Sequence, residues 1–320
     1  MNTAAPVPQP PPDPDVRALA ARGALDALTP APRLPSPLTE VRDERFAQHG
    51  IRLLLKRDDL IQPALPGNKW RKLAPNLVAA LDAGHTRLLT FGGAWSNHLR
   101  ATAAAGRLLG LATVGVVRGD ELAERPLNPS LARCAADGMR LHFVSRADYR
   151  RRNDPDFLGW LADRFDGPMV LPEGGSNAAA ARGCAQLGRE LRGLTDVAAV
   201  ACGTGGTLAG LAAGLAPGQR ALGVPVVAGG FLETDVAALQ RSAFGSVRGD
   251  WSLDDRFHCG GYARTPPQLA DFAADFAARH ALPPVERVHV AKLLYGLTAL
   301  AEEGAFPAGS TVTAVVTGRA

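Results

Sequence analysis

Four short glycine-containing turns carry the side chains that could do chemistry. In chain order they are Gly67-Asn-Lys-Trp-Arg-Lys, Gly92-Gly-Ala-Trp-Ser-Asn-His, Pro172-Glu-Gly-Gly-Ser-Asn and Gly203-Thr-Gly-Gly-Thr. Glycines let backbone amides approach a bound group closely, and the N-terminus of a following helix favours negative charge. The turns therefore predict a site for an anionic ligand, although a glycine turn by itself is also a common structural feature.

The turn at Gly203 is the strongest of these signals, because it follows a buried apolar run and opens a helix. A phosphate is its natural ligand. It is not a Walker loop, since no Gly-Lys-Ser/Thr follows, and Leu208 stands where a dinucleotide fingerprint needs glycine or alanine. A nucleotide-binding α/β protein remains a weaker alternative.

Lysine is scarce in this chain, with only four among 35 basic residues, namely Lys56, Lys69, Lys72 and Lys292. Lys69 stands at the start of a predicted helix, where the helix dipole disfavours a cation. Burial and that dipole both lower the pKa of an ammonium, which produces the neutral amine that an imine-forming lysine requires. A surface lysine in the first helical turn is the alternative. Lys72 shares the helix face of Lys69, and Lys56 is interpreted as part of a charge cluster.

Ser96 and Asn97 fall in the capping region of another predicted helix. Their side chains and the free amides beside them form a plausible cradle for a carboxylate or a ring oxygen. A plain helix N-cap is the alternative. The chain has no ligand spacing typical of zinc and no serine-hydrolase elbow, so a metal site is not expected.

Composition places the chain among ordinary globular proteins: 320 residues, 46% hydrophobic, 21% charged, with a formal net charge of +4. Its arginines are scattered among 31 acidic residues, which argues against nucleic-acid binding. Four cysteines without C-x-x-C spacing, and no signal peptide, predict a reduced cytoplasmic protein. Residues 197–219 carry no charge, but their glycines and Pro217 indicate strand, turn and buried helix rather than a membrane span.

Short apolar runs alternate with alanine-rich helical stretches from Ile51 onward. The predicted strands are Ile51–Lys56, Arg87–Phe91, Ala112–Arg118, Met139–Val144, Pro168–Leu171, Asp196–Cys202, Arg220–Val224, Arg287–Val290 and Thr311–Val316. The predicted helices are Lys69–Ala83, Asn97–Leu109, Ser130–Asp137, Asp156–Phe165, Ala178–Leu191, Thr207–Leu215, Thr234–Ser242, Pro267–His280 and Ala291–Glu303. Continuously apolar strands separated by helices predict parallel sheets covered on both faces.

Nine strands exceed the need of one domain, so we expect two α/β domains with a cleft between them. A proline-rich arm over residues 1–37, with ten of the 25 prolines, is expected to be disordered. A docking arm for a partner subunit, or a short helix at Asp15–Leu28, is the alternative. We place a larger cofactor-binding domain at 38–74 plus 176–320, and a smaller domain at 75–175.

The four turns, taken in this order, resemble the 1-aminocyclopropane-1-carboxylate deaminase/D-cysteine desulfhydrase family. This family belongs to the fold type II, tryptophan-synthase-β-like pyridoxal phosphate enzymes. The resemblance extends from about Leu34 to the C-terminus. It implies pyridoxal 5'-phosphate in the interdomain cleft, a small amino acid as substrate, and a homodimer.

The resemblance also implies roles for individual residues. Lys69 would bind the cofactor covalently and take the α-proton of the substrate, and Asn97 would contact the ring hydroxyl. Ser96 would receive the substrate carboxylate and assist proton transfer, and Tyr262 matches a family tyrosine. The remaining implied contacts are Asn68, Gly203, Thr204, Gly205, Gly206 and Thr207 for the cofactor, and Trp95 and His98 for the substrate.

Departures from the family pattern cluster near the C-terminus. His289 stands in place of the tyrosine that works near the substrate, and it can replace that tyrosine as an acid or base. Val290 replaces the polar group that contacts the pyridine nitrogen, which leaves Thr317 as a substitute partner.

These departures decide between reactions. Ring opening of 1-aminocyclopropane-1-carboxylate depends in the family on the missing tyrosine and acid, so it ranks below elimination from D-cysteine. The expected reaction is a lyase or deaminase reaction that yields sulfide, a 2-oxo acid and ammonia; its closing hydrolysis also suggests a hydrolase. A catalytically altered cofactor-binding homologue with a different amino-acid ligand is the further alternative.

Overall fold

The computed structural model describes residues 23–65 and 67–319, which form ten strands, eleven α-helices and a short helical segment at residues 23–26. The strands are β1 Leu38–Val41, β2 Arg52–Lys56, β3 Arg87–Gly92, β4 Ala112–Arg118, β5 Met139–Val144, β6 Met169–Leu171, β7 Val197–Cys202, β8 Arg220–Pro225, β9 Asp250–Leu253 and β10 Thr311–Val315. The helices are α1 Glu44–Ala47, α2 Lys69–Asp82, α3 Asn97–Leu109, α4 Pro129–Ala136, α5 Arg146–Arg150, α6 Pro155–Arg164, α7 Ala178–Glu190, α8 Gly206–Gly214, α9 Leu232–Phe244, α10 Pro267–Arg279 and α11 Val290–Glu302.

The larger sheet has six strands in the order β1-β2-β10-β7-β8-β9. All neighbours are parallel except the edge pair β1 and β2. Strand β10 lies inside the sheet, with Val312 opposite both Leu53 and Val197. Apolar side chains on the two faces pack into separate cores, one against α11 and one against α7 and α8. This is the doubly covered parallel sheet predicted by the continuously apolar strands.

The smaller sheet has four parallel strands in the order β5-β4-β3-β6. Helices α2 and α3 pack on one side through Leu73, Leu77 and Ala101, and helix α6 packs on the other through Phe157 and Leu161. The chain therefore has the two-domain α/β architecture expected from its sequence.

Most predicted elements are present within two residues of their predicted ends, but the strand predicted at Arg287–Val290 is wrong. Residues 287–289 form a turn, and α11 begins at Val290. The Glu286 carboxylate accepts hydrogen bonds from the amides of Val288 (2.8 Å), His289 (2.8 Å) and Val290 (3.1 Å). These bonds satisfy amides that a helix start leaves free, so the helix begins there despite the strand-like valines. Strands β1 and β9 were absent from the prediction.

The proline-rich arm differs from its predicted disorder wherever it is described. Residues 23–26 are helical, and Leu25 and Leu28 are buried beside Ile61 and Leu65 in the core of the smaller domain. Burial of two leucines stabilises the packed arm by a few kcal/mol, on the order of 1.5–3 per side chain. Residues 1–22, which hold most of the proline run, lie outside the described residues.

The predicted boundary between residues 74 and 75 falls inside a continuous helix, α2. This helix packs on α7 at the larger sheet, where Gly183 lies against Arg71, and on the core of the smaller sheet through Leu77. Helix α2 therefore packs against both domains instead of ending one of them. The other predicted boundaries stay predictions.

Two expectations drawn from composition concern described segments. Residues 197–219 form strand β7, a turn and helix α8, and no helix among residues 23–65 and 67–319 is long and apolar enough to cross a membrane. The four cysteines are all free thiols.

A buried charge cluster fixes α2 against the larger sheet. Arg71, only 1% exposed at its side chain, donates to Asp58 (Nε to Oδ2, 2.7 Å) and to Glu190 (Nη2 to Oε2, 2.8 Å). Lys56 donates to the same Glu190 oxygen (2.7 Å), and the Ser36 hydroxyl donates to Asp58 (2.6 Å). The interpretation of Lys56 as part of a charge cluster agrees with this geometry. Because two cations face two carboxylates, removal of one partner leaves an uncompensated buried charge.

We expect Asp58→Asn to lower the free energy of unfolding by about 3 kcal/mol or more, because Arg71 loses its buried partner. Urea unfolding followed by circular dichroism measures the change. The matched control is Asp166→Asn, which removes a carboxylate that is 82% exposed in its pair with Arg87 and should leave the midpoint unchanged. Equal midpoints for the two variants would contradict the prediction.

Candidate active site

The carboxyl ends of strands from both sheets point toward one cavity of about 410 Å³. Its walls include residues that lie one or two positions after the ends of strands. These are Gly93 after β3, Glu173 after β6, Gly203 after β7 and Thr317 after β10. Open parallel sheets bind ligands at this edge. The cavity lies between the two sheets, and the predicted cleft is confirmed.

Most sequence-predicted site residues line this cavity. They are Asn68, Lys69, Ser96, Asn97, His98, Gly203, Thr204, Gly205, Thr207, Tyr262, His289 and Thr317. Trp95 does not line it and is 61% exposed, so the structure does not bring it together with the other predicted site residues. Its neighbour Ser96 faces the helix, and consecutive residues of a turn point in different directions.

The Lys69 turn is locked against the end of strand β10. A Cβ on Gly67 would lie 1.9 Å from the Thr317 carbonyl oxygen, so only glycine fits there, and its φ of +65° also favours glycine. The Asn68 amide donates to the same carbonyl (3.0 Å), and the Asn68 side chain donates to Thr207 (3.2 Å). Lys69 is thereby fixed at the first position of α2.

The amine of Lys69 has an unusual environment. Its Nζ lies 3.4 Å from the Asn68 side-chain oxygen and has no carboxylate partner among the described residues. Burial, together with the positive charge of Lys72, lowers the pKa of Lys69 to about 7. A large fraction of this amine is therefore neutral and nucleophilic near pH 7.

The loop from Gly203 to Thr207 forms the start of α8. The first bond of this helix is donated by the Ala209 amide to Gly205 (2.9 Å), which leaves the preceding amides without helical acceptors. A Cβ on Gly206 would lie 2.5 Å from the Ser176 hydroxyl and 3.2 Å from the Lys72 Nζ. A side chain at position 206 would therefore collide with these two polar groups, so glycine lets the loop pack against them.

Ser96 is a helix N-cap, as its alternative interpretation proposed. Its hydroxyl accepts a hydrogen bond from the Leu99 amide (3.3 Å) at the start of α3. It lines the cavity at the same time, since an oxygen that accepts one bond still has a lone pair and its own hydrogen. Asn97 follows at the first helical position, beside Gly318.

His98 is buried beneath the cavity in a defined tautomer. The Thr90 hydroxyl donates to the Leu171 carbonyl (2.9 Å), so the bond between Thr90 and His98 Nε2 (2.8 Å) must be donated by the ring. Burial, Lys69 and Lys72 hold the pKa of His98 well below its usual value. His98 is therefore a neutral ring whose Nδ1 has no partner among the described residues.

His289 lies at the N-terminus of α11, between Tyr262 and the loop from Gly203 to Thr207. The rings of His289 and Tyr262 meet edge to face at 6.0 Å, and His289 Nε2 lies 3.8 Å from where a Cβ on Gly203 would be. On its other side, Nδ1 lies 3.6 Å from a Glu286 oxygen. Although burial opposes the charge, the contact with His289 and the amides of the helix start lower the pKa of Glu286 to about 2.

Neither Val290 nor Lys292 lines the cavity. Val290 is buried in the core of the larger domain. Lys292 is fully buried and donates to the carbonyls of His258 (2.8 Å) and Gly261 (2.7 Å). Lys292 thus holds the turn that presents Tyr262.

Sequence reasoning assigned no site role to several residues that line the cavity. These are Lys72, Arg118, Arg152, Glu173, Phe231 and Asp235. Arg118 ends strand β4, and Glu173 follows β6, so the rule that ligands bind at carboxyl ends of parallel strands was the available signal. Lys72 donates to Ser176 (2.9 Å) and to the Gly174 carbonyl (3.2 Å).

A phosphorylated aldehyde fits this donor set. Such a ligand needs a neutral amine for its carbonyl group, and Lys69 supplies one. It also needs donors for its phosphate, which the free amides of the Gly203 loop and the neighbouring Lys72 supply. These groups face one cavity, so the cofactor expected from the resemblance is compatible with the structure.

Comparison with known sequences agrees with the geometry. The family whose profile matches residues 31–318 is described as "Pyridoxal-phosphate dependent enzyme". The chain is 32% identical over 306 residues to a D-cysteine desulfhydrase of Klebsiella pneumoniae (strain 342), which covers 86% of this chain and 90% of the relative. It is 33% identical over 182 residues to the mitochondrial bifunctional D-cysteine desulfhydrase/1-aminocyclopropane-1-carboxylate deaminase of Arabidopsis thaliana, covering 52% of this chain and 45% of that protein.

A solved structure shares the architecture over nearly the whole chain. The crystal structure of an ACC deaminase homologue matches with a TM-score of 0.76 and 25% sequence identity. The match covers 93% of this chain and 94% of that one. The fold type II architecture expected from the sequence is thereby confirmed.

We expect reductive methylation of the cofactor-free protein with formaldehyde and cyanoborohydride to label Lys69 with a midpoint near pH 7, because its amine is half neutral there. Peptide mass spectrometry at each pH gives the labelled fraction. Lys56, buried and paired with Glu190, is the internal control and should stay unlabelled. Lys72→Met should move the Lys69 midpoint upward, since a neighbouring positive charge is lost. Labelling of Lys69 only above pH 9 would contradict the lowered pKa.

Proposed function

The chain belongs to the pyridoxal-phosphate dependent enzymes of the 1-aminocyclopropane-1-carboxylate deaminase/D-cysteine desulfhydrase family, and on this premise we propose that it eliminates sulfide from D-cysteine. It is a lyase that requires pyridoxal 5'-phosphate. The observation that carries the proposal is the neutral, cavity-facing amine of Lys69 beside a glycine loop rich in free amides.

Four parts of the chain would hold the cofactor. Lys69 would bind its aldehyde carbon, and the amides from Gly203 to Thr207 would bind its phosphate with Lys72. Asn97 would contact the ring hydroxyl, and Thr317 would serve the pyridine nitrogen, since Val290 offers no polar atom. When bound, the cofactor withdraws electrons from the α-carbon of the substrate.

Lys69 is the proposed base. Its pKa near 7 means that the amine can accept the α-proton of the substrate at neutral pH, and the Asn68 oxygen at 3.4 Å can hold the resulting ammonium. Ser96 and the amides at the start of α3 would bind the α-carboxylate of the substrate. This arrangement holds the α-carbon near the proton acceptor.

His289 is the proposed second acid or base. Its Nε2 faces the cavity beside Gly203, while Glu286 lies at its Nδ1 and stays ionised. A carboxylate at one ring nitrogen favours a proton on that nitrogen, which leaves Nε2 to exchange protons with the substrate. Tyr262, at the edge of the same ring, would line the substrate side chain.

The reaction is an elimination and not a hydrolysis. The α-carbon loses its proton, the carbon–sulfur bond breaks, and sulfur leaves with the electron pair as hydrosulfide. Water then converts the released 2-aminoacrylate to pyruvate and ammonia. The expectation of a hydrolase is wrong, because the relatives are named for desulfhydration and the bond broken at the enzyme is a carbon–sulfur bond.

Ring opening of 1-aminocyclopropane-1-carboxylate ranks lower. Val290 is buried in the core, so the acidic partner of the pyridine nitrogen on which that reaction depends in the family is absent at this position. We further propose a homodimer working in the cytoplasm, as the family resemblance and the free thiols suggest.

The first test measures cofactor binding and sulfide release. Purified protein should be yellow, and borohydride should attach the cofactor irreversibly to Lys69, as peptide mass spectrometry would show. Sulfide should appear with D-cysteine faster than with L-cysteine, and neither D-serine nor 1-aminocyclopropane-1-carboxylate should match it. Lys69→Ala should abolish turnover, whereas Lys56→Met should keep the covalent link. A protein that stays colourless with added cofactor, or binds cysteine without releasing sulfide, contradicts the proposal.

His289→Gln should lower kcat by about 100-fold, because glutamine keeps a polar side chain but cannot exchange a proton. Cofactor absorption should be unchanged, since the cofactor-holding groups remain. His49→Gln, on a residue that does not line the cavity, is the control and should retain full activity. Full activity of His289→Gln would exclude His289 from proton transfer.

A further inference from the structure

The cavity wall carries one arginine that has no carboxylate partner. Arg118 ends strand β4 and lines the cavity, and its Nη2 lies 3.6 Å from where a Cβ on Gly93 would be. Among residues 23–65 and 67–319 its side chain forms neither a hydrogen bond nor an ion pair. An arginine at the carboxyl end of a parallel strand, left without an anion, is available to a ligand.

The surroundings of Arg118 hold it in place without neutralising it. Its guanidinium carbon lies 5.8 Å from the centre of the Tyr149 ring, and that of Arg152 lies 5.3 Å from the same ring. Arg152 is paired with Glu173 (2.8 Å), whose other oxygen accepts from the Tyr149 hydroxyl (2.7 Å). The Glu173 carboxylate is therefore engaged by Arg152 and Tyr149.

The two anion sites already proposed in the cavity do not use Arg118, which leaves this arginine for the side-chain end of the substrate. The Gly93 turn leads directly to Ser96, where the α-carboxylate is proposed to bind, and the cofactor phosphate belongs to the Gly203 loop and Lys72. The charge of Arg118 also acts on Tyr262, because it opposes the rise that burial and the carboxylates of Glu286 and Glu173 cause in the pKa of Tyr262. Arg118 and Tyr262 both line the cavity.

We propose that Arg118 binds a second negative charge on the substrate, so that the enzyme prefers amino acids whose β-substituent is anionic, such as a thiolate, sulfonate or carboxylate. This inference rests on the proposed function. For cysteine, the arginine would meet the sulfur as it acquires the electron pair of the carbon–sulfur bond. For an amino acid without a leaving group, it would act in binding alone.

Aspartate and asparagine test this proposal, because they have the same shape and differ in side-chain charge, and neither carries a β-leaving group. Dissociation constants are measured for both enantiomers by calorimetry and by the absorption of the bound cofactor, at low and high salt. The holoenzyme should bind aspartate about threefold or more tightly than asparagine, and salt should reduce the difference. Arg118→Met should abolish the difference, and Arg118→Lys should retain part of it.

The control is Arg146→Met, which removes an arginine that is 72% exposed in its pair with Glu121 and should leave both constants unchanged. Equal binding of aspartate and asparagine by the holoenzyme overturns the role of Arg118 but not the proposed function. If Arg118→Met weakens the binding of aspartate and of asparagine equally, the proposed role of Arg118 is also overturned, because this result would mean that Arg118 binds the α-carboxylate. If no amino acid changes the cofactor absorption, both proposals fail.

Discussion

The start of helix α2 is the constraint on which the site depends. Arg71 is anchored in the larger domain by Asp58 and Glu190, and it lies two residues after Lys69. The backbone of Lys69 is therefore held at the first turn of α2, where Gly67 and Asn68 pack against the Thr317 carbonyl. The same helix continues into the core of the smaller domain. Both walls of the cavity therefore pack against this one helix.

Electrostatics in the cavity follows from this placement. Helix α2 brings Lys69 and Lys72 to one face near the start of α8, where free amides add partial positive charge. Burial, together with the neighbouring positive charge, lowers the pKa of Lys69 and the pKa of His98. An anionic ligand supplies the negative charge that these positive groups lack. The unfavourable interaction among the positive groups in the free protein is relieved when a phosphate or a carboxylate binds, and this relief contributes to the affinity for both.

The sequence predicted features that depend on neighbouring residues and missed those that depend on distant ones. The glycine turns before α2, α3 and α8 were predictable, because the turn and the helix pattern are local. The strand predicted at 287–290 is the exception, since the Glu286 carboxylate caps amides only two to four residues away and the strand-like valines at 288 and 290 outweighed that local signal. Trp95 lies next to Ser96 in the chain but does not line the cavity, because the orientation of a turn residue is set by tertiary packing. The cluster that unites Asp58, Arg71 and Glu190 joins three separate segments.

Strand β10 has a consequence for the order in which the protein acquires its site. It is inserted between β2 and β7, and residues just beyond it supply the carbonyl against which the Lys69 turn is packed. Pairings between segments so far apart along the chain form late, because loop closure costs entropy before it is compensated. During synthesis β2 and β7 stay unjoined until β10 has been made, which requires about 250 residues after β2. A nascent chain released before this strand would therefore expose two unpaired strand edges and lack an assembled amine site.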